Sequence, residues 1–510
     1  MARSEHKGRC GRLLDASLLG VPELHTVAGA SLPRRMPTLP PDKESMTRNN
    51  VTRTHRGRFP ARALRTVGGA AALAAALIGS SPANAADPQI PFERYQLDNG
   101  IEIILHQDTS TPIVAVNVWY HVGSGDEMPG NSGFAHLFEH MLFQGSQHVG
   151  QDRHFEVLKS IGASTVNGTT SPDRTNYFEV VPSHQLETAL WLESDRMGYL
   201  LPMLNRDSLD NQIDVVRNER RQSVDNVPYG TSQMELAAAL YPEGHPYRYR
   251  VIGKHEDIAA ATVDDVVAFY RKWYSPANAT IVVAGDFETA AVKAALGKWF
   301  GTFPKLAKPE RRPVAVPRIQ RVRKEVPDPL AKLPQLTYAW HTPPYLQEGD
   351  AELDILANVL ASRTGRLQRL LVDEQQVAQE VQAWQTSQQR SSYFSLVVTL
   401  KPNADLAAVE ATLADELARV VTTPVSQREF DRAVTNLESR FVWGLEPLMA
   451  RAEYLQRYNH FYGDPDGVAR DIARYRQSSP AKVQSTAAAF LRTDQRVEII
   501  TKPVQAVTHR

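Results

Sequence analysis

The sequence predicts an α+β chain of two similar domains, each an antiparallel-rich sheet covered by helices, and three observations carry that prediction. Residues 92–305 alternate short β-branched and aromatic runs with amphipathic stretches of helical period. From residue 334 to residue 510 the same plan recurs at a spacing near 200 residues, which reads as an internal duplication. Between them, residues 306–333 are charged and rich in proline, the composition of a linker lying along a surface.

The first unit, residues 86–305, opens with FERYQLDNGIEIILHQD, a strand pair broken at Asn99-Gly100, a hairpin turn signal. TPIVAVNVWYHVGSG follows, β-branched and aromatic and ending at glycines. Residues 131–146 switch to helical spacing. GASTVNGTTSPDRTNYFEVVP then supplies two more strands, HQLETALWLESDRM an amphipathic helix, and residues 207–226 a long helix. A helix, a strand and another helix close the unit between residues 263 and 300. In the second unit the corresponding pieces are the strand LPQLTYAWHTP, the helix DAELDILANVLAS, the strand YFSLVVTLKP, further helices and the last strand RVEIIT.

Ahead of both units lies a basic head. Residues 46–85 hold six arginines and no acid before VGGAAALAAALIG and SPANA, which is the order of an export signal cleaved after Ala85. The apolar run is too short to span a bilayer, so no stable membrane span is expected after cleavage. Residues 1–45 fit no export pattern and read as a leader from a start called too early, with Met46 as initiator. The mature chain is expected in the periplasm or another exported compartment of a cell envelope. Cys10 is the one cysteine, and its place in the head leaves the mature chain without thiol chemistry or disulfides.

Composition narrows the function further. The 510 residues are 42% hydrophobic and 22% charged, an ordinary globular balance. Their formal charge of zero is uneven: 13 basic and 5 acidic residues fall in 1–85, leaving 44 basic and 52 acidic beyond. A net of −8 argues against nucleic acid, whose phosphates need a basic face.

Chemistry concentrates in GFAHLFEHMLFQGS, residues 133–146. His136 and His140 lie four apart and face one side of a helix, and Glu139 borders that side. Two neutral imidazoles suit zinc, and a carboxylate beside them can take a proton from attacking water. Spacing alone leaves the third ligand missing, and it leaves two satisfied core histidines or a structural metal site as the competing readings.

Here the chain resembles the insulinase/pitrilysin metallopeptidases, or inverzincins, which carry His-x-x-Glu-His in this inverted order. The likeness spans residues 92–505 and rests on LDNG, GSGDEMPGNSGFAHLFEHMLFQGS, VNGTTSPDRTNYF, LESDRM, VVRNERRQSVDN, YSPANATIVVAGDF and LESRFVWGLEPLMARAEYLQRY. It implies a half-clamshell peptidase with one zinc per chain, held by His136, His140 and Glu219, with Glu139 as general base and the second domain free of zinc. Glu219 is 79 residues beyond His140. With one anionic and two neutral ligands the zinc keeps net positive charge, which lowers the pKa of its water to about 7. The alternative for Glu219 is a solvated helix residue paired with Arg220 or Arg221.

The resemblance also implies that peptide adds as a strand along Ser164, Val166, Asn167, Gly168 and Thr169, with Asn167 near the scissile bond. An ordinary hairpin with an Asn-Gly turn is the plainer reading of that stretch.

Two positions depart from the pattern. Gln212 stands seven residues before Glu219 where the family often has glutamate, so it can hydrogen-bond around the metal without adding charge. In LLVDEQQVAQEV, Val372 and Gln379 replace an arginine and a tyrosine that grip the substrate carbonyl in active relatives. Such a donor is commonly worth about 2.7–4 kcal/mol. Half-length relatives work in pairs, so the departure points to a heterodimer whose partner supplies that pair, ahead of a homodimer. The expected function is an exported zinc endopeptidase acting on peptides or unfolded segments in a closed chamber. The alternative is a weak or silent peptide-binding or assembly subunit with a structural zinc.

Overall fold

Alternating apolar residues commit the chain to two sheets, and unbroken apolar runs mark the strands at their centres. The computed structural model describes residues 87–311 and 313–504, with the backbone of residues 25 and 26. Seven strands form the first sheet: β1 (His25–Thr26), β2 (Glu93–Gln96), β3 (Glu102–Gln107), β4 (Ile113–Tyr120), β5 (Thr165–Thr170), β6 (Thr175–Pro182) and β7 (Ala279–Gly285). Their order is β1-β5-β6-β4-β7-β3-β2.

Central β4 and β7 are buried on both faces, which explains why IVAVNVWY and ATIVVAG lack the polar alternation of a half-exposed strand. One face packs Val116, Val118 and Tyr120 with Leu137 and Phe138. The other packs Ala115, Val282 and Ala284 with Leu455 and Tyr458, from the helix Leu448–Tyr462 of the second half. Asn117 is polar and fully buried in β4, but its side-chain amide donates to Glu453 (3.0 Å) and its Oδ1 accepts from Asn176 (3.3 Å), while its backbone carbonyl accepts from Gln456 (2.8 Å). Burial without penalty follows.

The second sheet contains β8 (Val322–Asp328), β9 (Gln335–Thr342), β10 (Ala378–Thr386), β11 (Ser392–Leu400) and β12 (Val497–Pro503), in the order β10-β11-β9-β12-β8. Its five strands repeat the run β5-β6-β4-β7-β3 of the first sheet. β3 runs parallel to β7 as β8 does to β12, while β4 is antiparallel to β6 and β7 as β9 is to β11 and β12. Helix Phe134–Met141 follows β4, and helix Asp350–Ala361 follows β9.

Two strands of the second sheet escape the sequence reading. β8 lies inside the expected linker 306–333, where only Val326 and Asp328 of its seven residues are buried; an edge position tolerates its charges and Pro327. β10 is also an edge strand, with a register shift between Ala378 and Glu380 that breaks its alternation.

Apart from the backbone of His25 and Thr26, the expected leader and signal, residues 1–85, lie outside the described residues. Those two pair antiparallel with the outer edge of β5, His25 opposite Thr170 and Thr26 opposite Thr169. Among the described residues no helix is long and apolar enough to cross a membrane.

Candidate metal centre

Local sequence fixes the motif helix before any metal is considered. Gly133 starts it at φ 93°, a conformation open to glycine, and the Glu127 carboxylate accepts from the backbone of Gly133 (3.1 Å) and Ala135 (2.8 Å). Glutamate at this position complements the positive helix end. Leu137, Phe138 and Met141 anchor the helix in the core, so His136 and His140 emerge on its other side with 0% and 3% exposure. Their rings stand edge to face, centroids 4.8 Å apart.

The second helix, Arg206–Arg220, begins at Asn205, whose side chain caps the Ser208 amide at 2.9 Å. Gln212 and Glu219 are seven residues apart, two turns along one face. Glu219 Oε2 lies 3.7 Å from His136 Nε2 and 3.3 Å from His140 Nε2. Ligand atoms about 2.0–2.1 Å from a shared tetrahedral centre sit roughly 3.3–3.4 Å apart, so these separations fit a divalent cation. His140 Nε2 is buried and makes no hydrogen bond among the described residues. Its other nitrogen, Nδ1, faces Gln212 Oε1 at 3.3 Å, which selects the tautomer with a lone pair on Nε2. Arg220 donates to Gly253 O, and Arg221 bonds Asn218, so neither holds Glu219.

Glu139 completes the group. Thr170 Oγ1 donates to its Oε2 at 2.5 Å, while Oε1 is buried without a hydrogen bond. Burial pushes its carboxyl up to about 7, against the pull of His140 and the Thr170 hydroxyl. A methyl group on Gly168 would stand 3.1 Å from Glu139 Oε1, so the glycine keeps β5 close to the carboxylate. Alternation then divides the strand: Val166, Gly168 and Thr170 share the face toward the motif helix, and Asn167 and Thr169 take the other. Thr169 bonds Arg174 and Asn176 there. Ser164 precedes the strand, its amide on Val180 O.

Sequence reasoning missed Thr170, Glu127 and a buried support behind the motif. Arg196, 1% exposed, donates to Glu193 (2.8 Å), lies 3.8 Å from Glu179, and packs under the rings of Tyr177 (4.3 Å) and Phe143 (5.1 Å). The Tyr177 hydroxyl reaches Glu139 O at 3.5 Å. His154, Glu179 and Glu193 also cluster closely enough for a cation, but the Arg196 guanidinium already pairs with Glu193, and burial beside Glu193 pushes the Glu179 carboxyl well up toward its neutral form. Replacing Arg196 with alanine leaves Glu193 as an uncompensated buried charge. The expected loss is about 3–5 kcal/mol of folding stability, measurable by urea denaturation.

A second expected outcome concerns Gln212. Alanine there removes the acceptor for His140 Nδ1 and is expected to weaken metal binding by about 10–100-fold with the fold intact, read by competition against a chelator.

Two family models cover most of this structure. Residues 102–247 match the one described as insulinase (peptidase family M16), and residues 260–437 the one described as the peptidase M16 inactive domain. Zinc protease PqqE of Helicobacter pylori is 26% identical over 362 residues, 69% of this chain and 80% of that protein. An uncharacterized zinc protease of Bacillus subtilis, YmxG, is 25% identical over 362 residues, 70% of this chain and 85% of its own. The crystal structure of a protease from Helicobacter pylori aligns with a TM-score of 0.76 at 25% identity, over 82% of this chain and 100% of that one. Matched in both halves and along the same fold, the chain belongs to the insulinase/pitrilysin family in its half-length bacterial form.

Proposed function

We propose that the chain is an exported zinc endopeptidase that hydrolyses peptides or unfolded segments inside a closed chamber, as the catalytic subunit of a heterodimer. The observation that carries this reading is the convergence of His136, His140 and Glu219 within bonding distance of one centre, with Glu139 alongside. Those three side chains hold the zinc, which when bound supplies a Lewis acid and a water acidified toward neutral pH. Glu139 Oε1 takes a proton from the attacking water and returns it to the leaving amine, while Thr170 fixes the orientation of Oε2.

The outer edge of β5 receives the peptide through main-chain hydrogen bonds along Ser164–Thr169. His25–Thr26 pairs on that same edge, which supports its capacity to take an added antiparallel strand. Backbone pairing makes little demand on sequence, in keeping with a broad peptide range. Export rests on the arginine-rich head and apolar run of residues 46–85.

One observation favours a second reading, a weakly active or silent peptide-binding subunit. Val372 is half-buried in the π-helical segment Gln368–Glu374 and Gln379 is exposed on β10, so neither supplies a cation or phenol to grip a carbonyl. In the leading reading the partner subunit supplies both. Hydrolysis of a quenched fluorescent peptide is therefore expected to be slow with the isolated chain, to stop with chelator, to return with zinc, and to rise with the partner. Cleavage indifferent to chelator removes the metallopeptidase reading, and full activity from a purified homodimer removes the heterodimer.

A further inference from the structure

Away from the metal centre, on the back face of the first sheet, a cavity of about 180 Å³ lies between β4, the helix Leu448–Tyr462 and the chain between β10 and β11. A space of roughly 150 Å³ holds a benzene-sized molecule, so this one takes a small group and not a domain. Two donors on its wall have no acceptor. Arg457 makes no hydrogen bond or salt bridge among the described residues, and its guanidinium lies 5.5 Å from the Tyr454 ring centre. Tyr345 packs edge-on against Phe461, centroids 4.9 Å apart, and its hydroxyl is also unbonded.

The acids around the cavity are already engaged. Glu453 Oε2 accepts from Asn117 (3.0 Å), Trp119 (3.4 Å) and Asn176 (3.4 Å), and Oε1 faces Arg174 at 3.9 Å. Asp471 accepts from Tyr458 (2.8 Å) and Arg474 (2.9 Å), and Asp354 from Tyr475 (2.8 Å). Tyr247 and the Gln389 amide hold Asp173. Burial pushes Asp354 up to about 8, keeping it neutral at physiological pH, and holds Tyr345 well above its usual value, so its phenol stays a donor.

The half-buried Arg457 guanidinium faces the cavity without a protein acceptor, and a carboxylate meets such a planar fork with two parallel hydrogen bonds. Glu453 and Asp471 would repel a doubly charged phosphate more than a singly charged carboxylate. Phe441, Phe461 and Leu437 offer the remaining wall to an apolar stem. We infer that this cavity binds a carboxylate carried on a short apolar stem, gripped by Arg457 and Tyr345, with exposed Arg440 at its margin. The chemistry is shared by the free C-terminus of a peptide and by a small aliphatic acid. The site does not depend on the metal.

Calorimetric titration of the full chain carrying Glu139→Gln, which removes turnover, tests it. The probes are an acetylated tetrapeptide ending in leucine with a free carboxylate, its C-terminal amide, valerate and inorganic phosphate. The acid peptide is expected to bind at least tenfold tighter than the amide, and phosphate weakly. Arg457→Gln should lower acid binding at least tenfold, and Tyr345→Phe, which deletes one hydroxyl and spares the packing, severalfold. Valerate equal to the tetrapeptide supports a free acid as ligand; a clear preference for the tetrapeptide supports a chain end. Equal binding of acid and amide, or acid binding untouched by Tyr345→Phe and by a folded Arg457→Gln, overturns the assignment.

Discussion

Replacing Glu139 with glutamine is expected to abolish peptide hydrolysis while leaving one zinc per chain. Glutamine keeps the shape of the side chain and can still accept from Thr170, whose hydroxyl donates to Oε2 in the structure. It cannot take a proton. General base catalysis is commonly worth about 10²–10⁴ in rate, so turnover should fall at least a hundredfold. Metal content should hold, because His136, His140 and Glu219 remain in place and Glu139 Oε1 is not among the clustered ligand atoms. Comparing metal analysis with initial rates on a quenched peptide checks both halves. A variant that cleaves at the parental rate makes Glu139 a packing residue; one that loses its metal makes it a ligand.

How much of this was legible in the sequence depends on the range of the interaction. Residues 134–141 announce themselves, because apolar residues at helical spacing enclose two histidines and a glutamate whose burial demands a partner. The centres of both sheets are equally plain in β4, β7 and β11, which are rich in β-branched and aromatic residues. β8 and β10 are not, since edge strands bury few side chains and leave a weak pattern. Glu219 lies two helices and two strands beyond His140, and no local spacing ties it to the motif; only the resemblance singled it out. Thr170 stands one residue past the stretch expected to bind peptide, and alternation from Gly168 could have pointed it at Glu139. Arg196 sits in LESDRM, one of the segments that carry the resemblance, yet nothing local there shows its supporting role. Its partners Glu179 and Tyr177 on β6 and Phe143 after the motif helix are distant in sequence and meet it only in the folded core.

The metal itself turns on Glu219. Alanine at this position removes the one anionic donor from a trio otherwise made of neutral imidazoles, and the vacated space opens to water, because the Glu219 side chain is 20% exposed where the histidines are buried. Four-ligand zinc sites bind with about 10–16 kcal/mol in all, so one ligand accounts for roughly 3 kcal/mol and its loss for about 10²–10³ in affinity. Glu219→Ala should therefore emerge from dialysis metal-poor and inactive, with activity partly restored by excess zinc. The fold should persist, since the helix is held by Asn205 at its start and by buried Leu209, Ile213 and Val216 along its length, none of which touches the change. Competition with a chelator of known affinity measures the shift directly. An unchanged zinc affinity in a folded Glu219→Ala protein would mean that the two histidines bind with some other third partner, and the peptidase reading would have to be rebuilt around it.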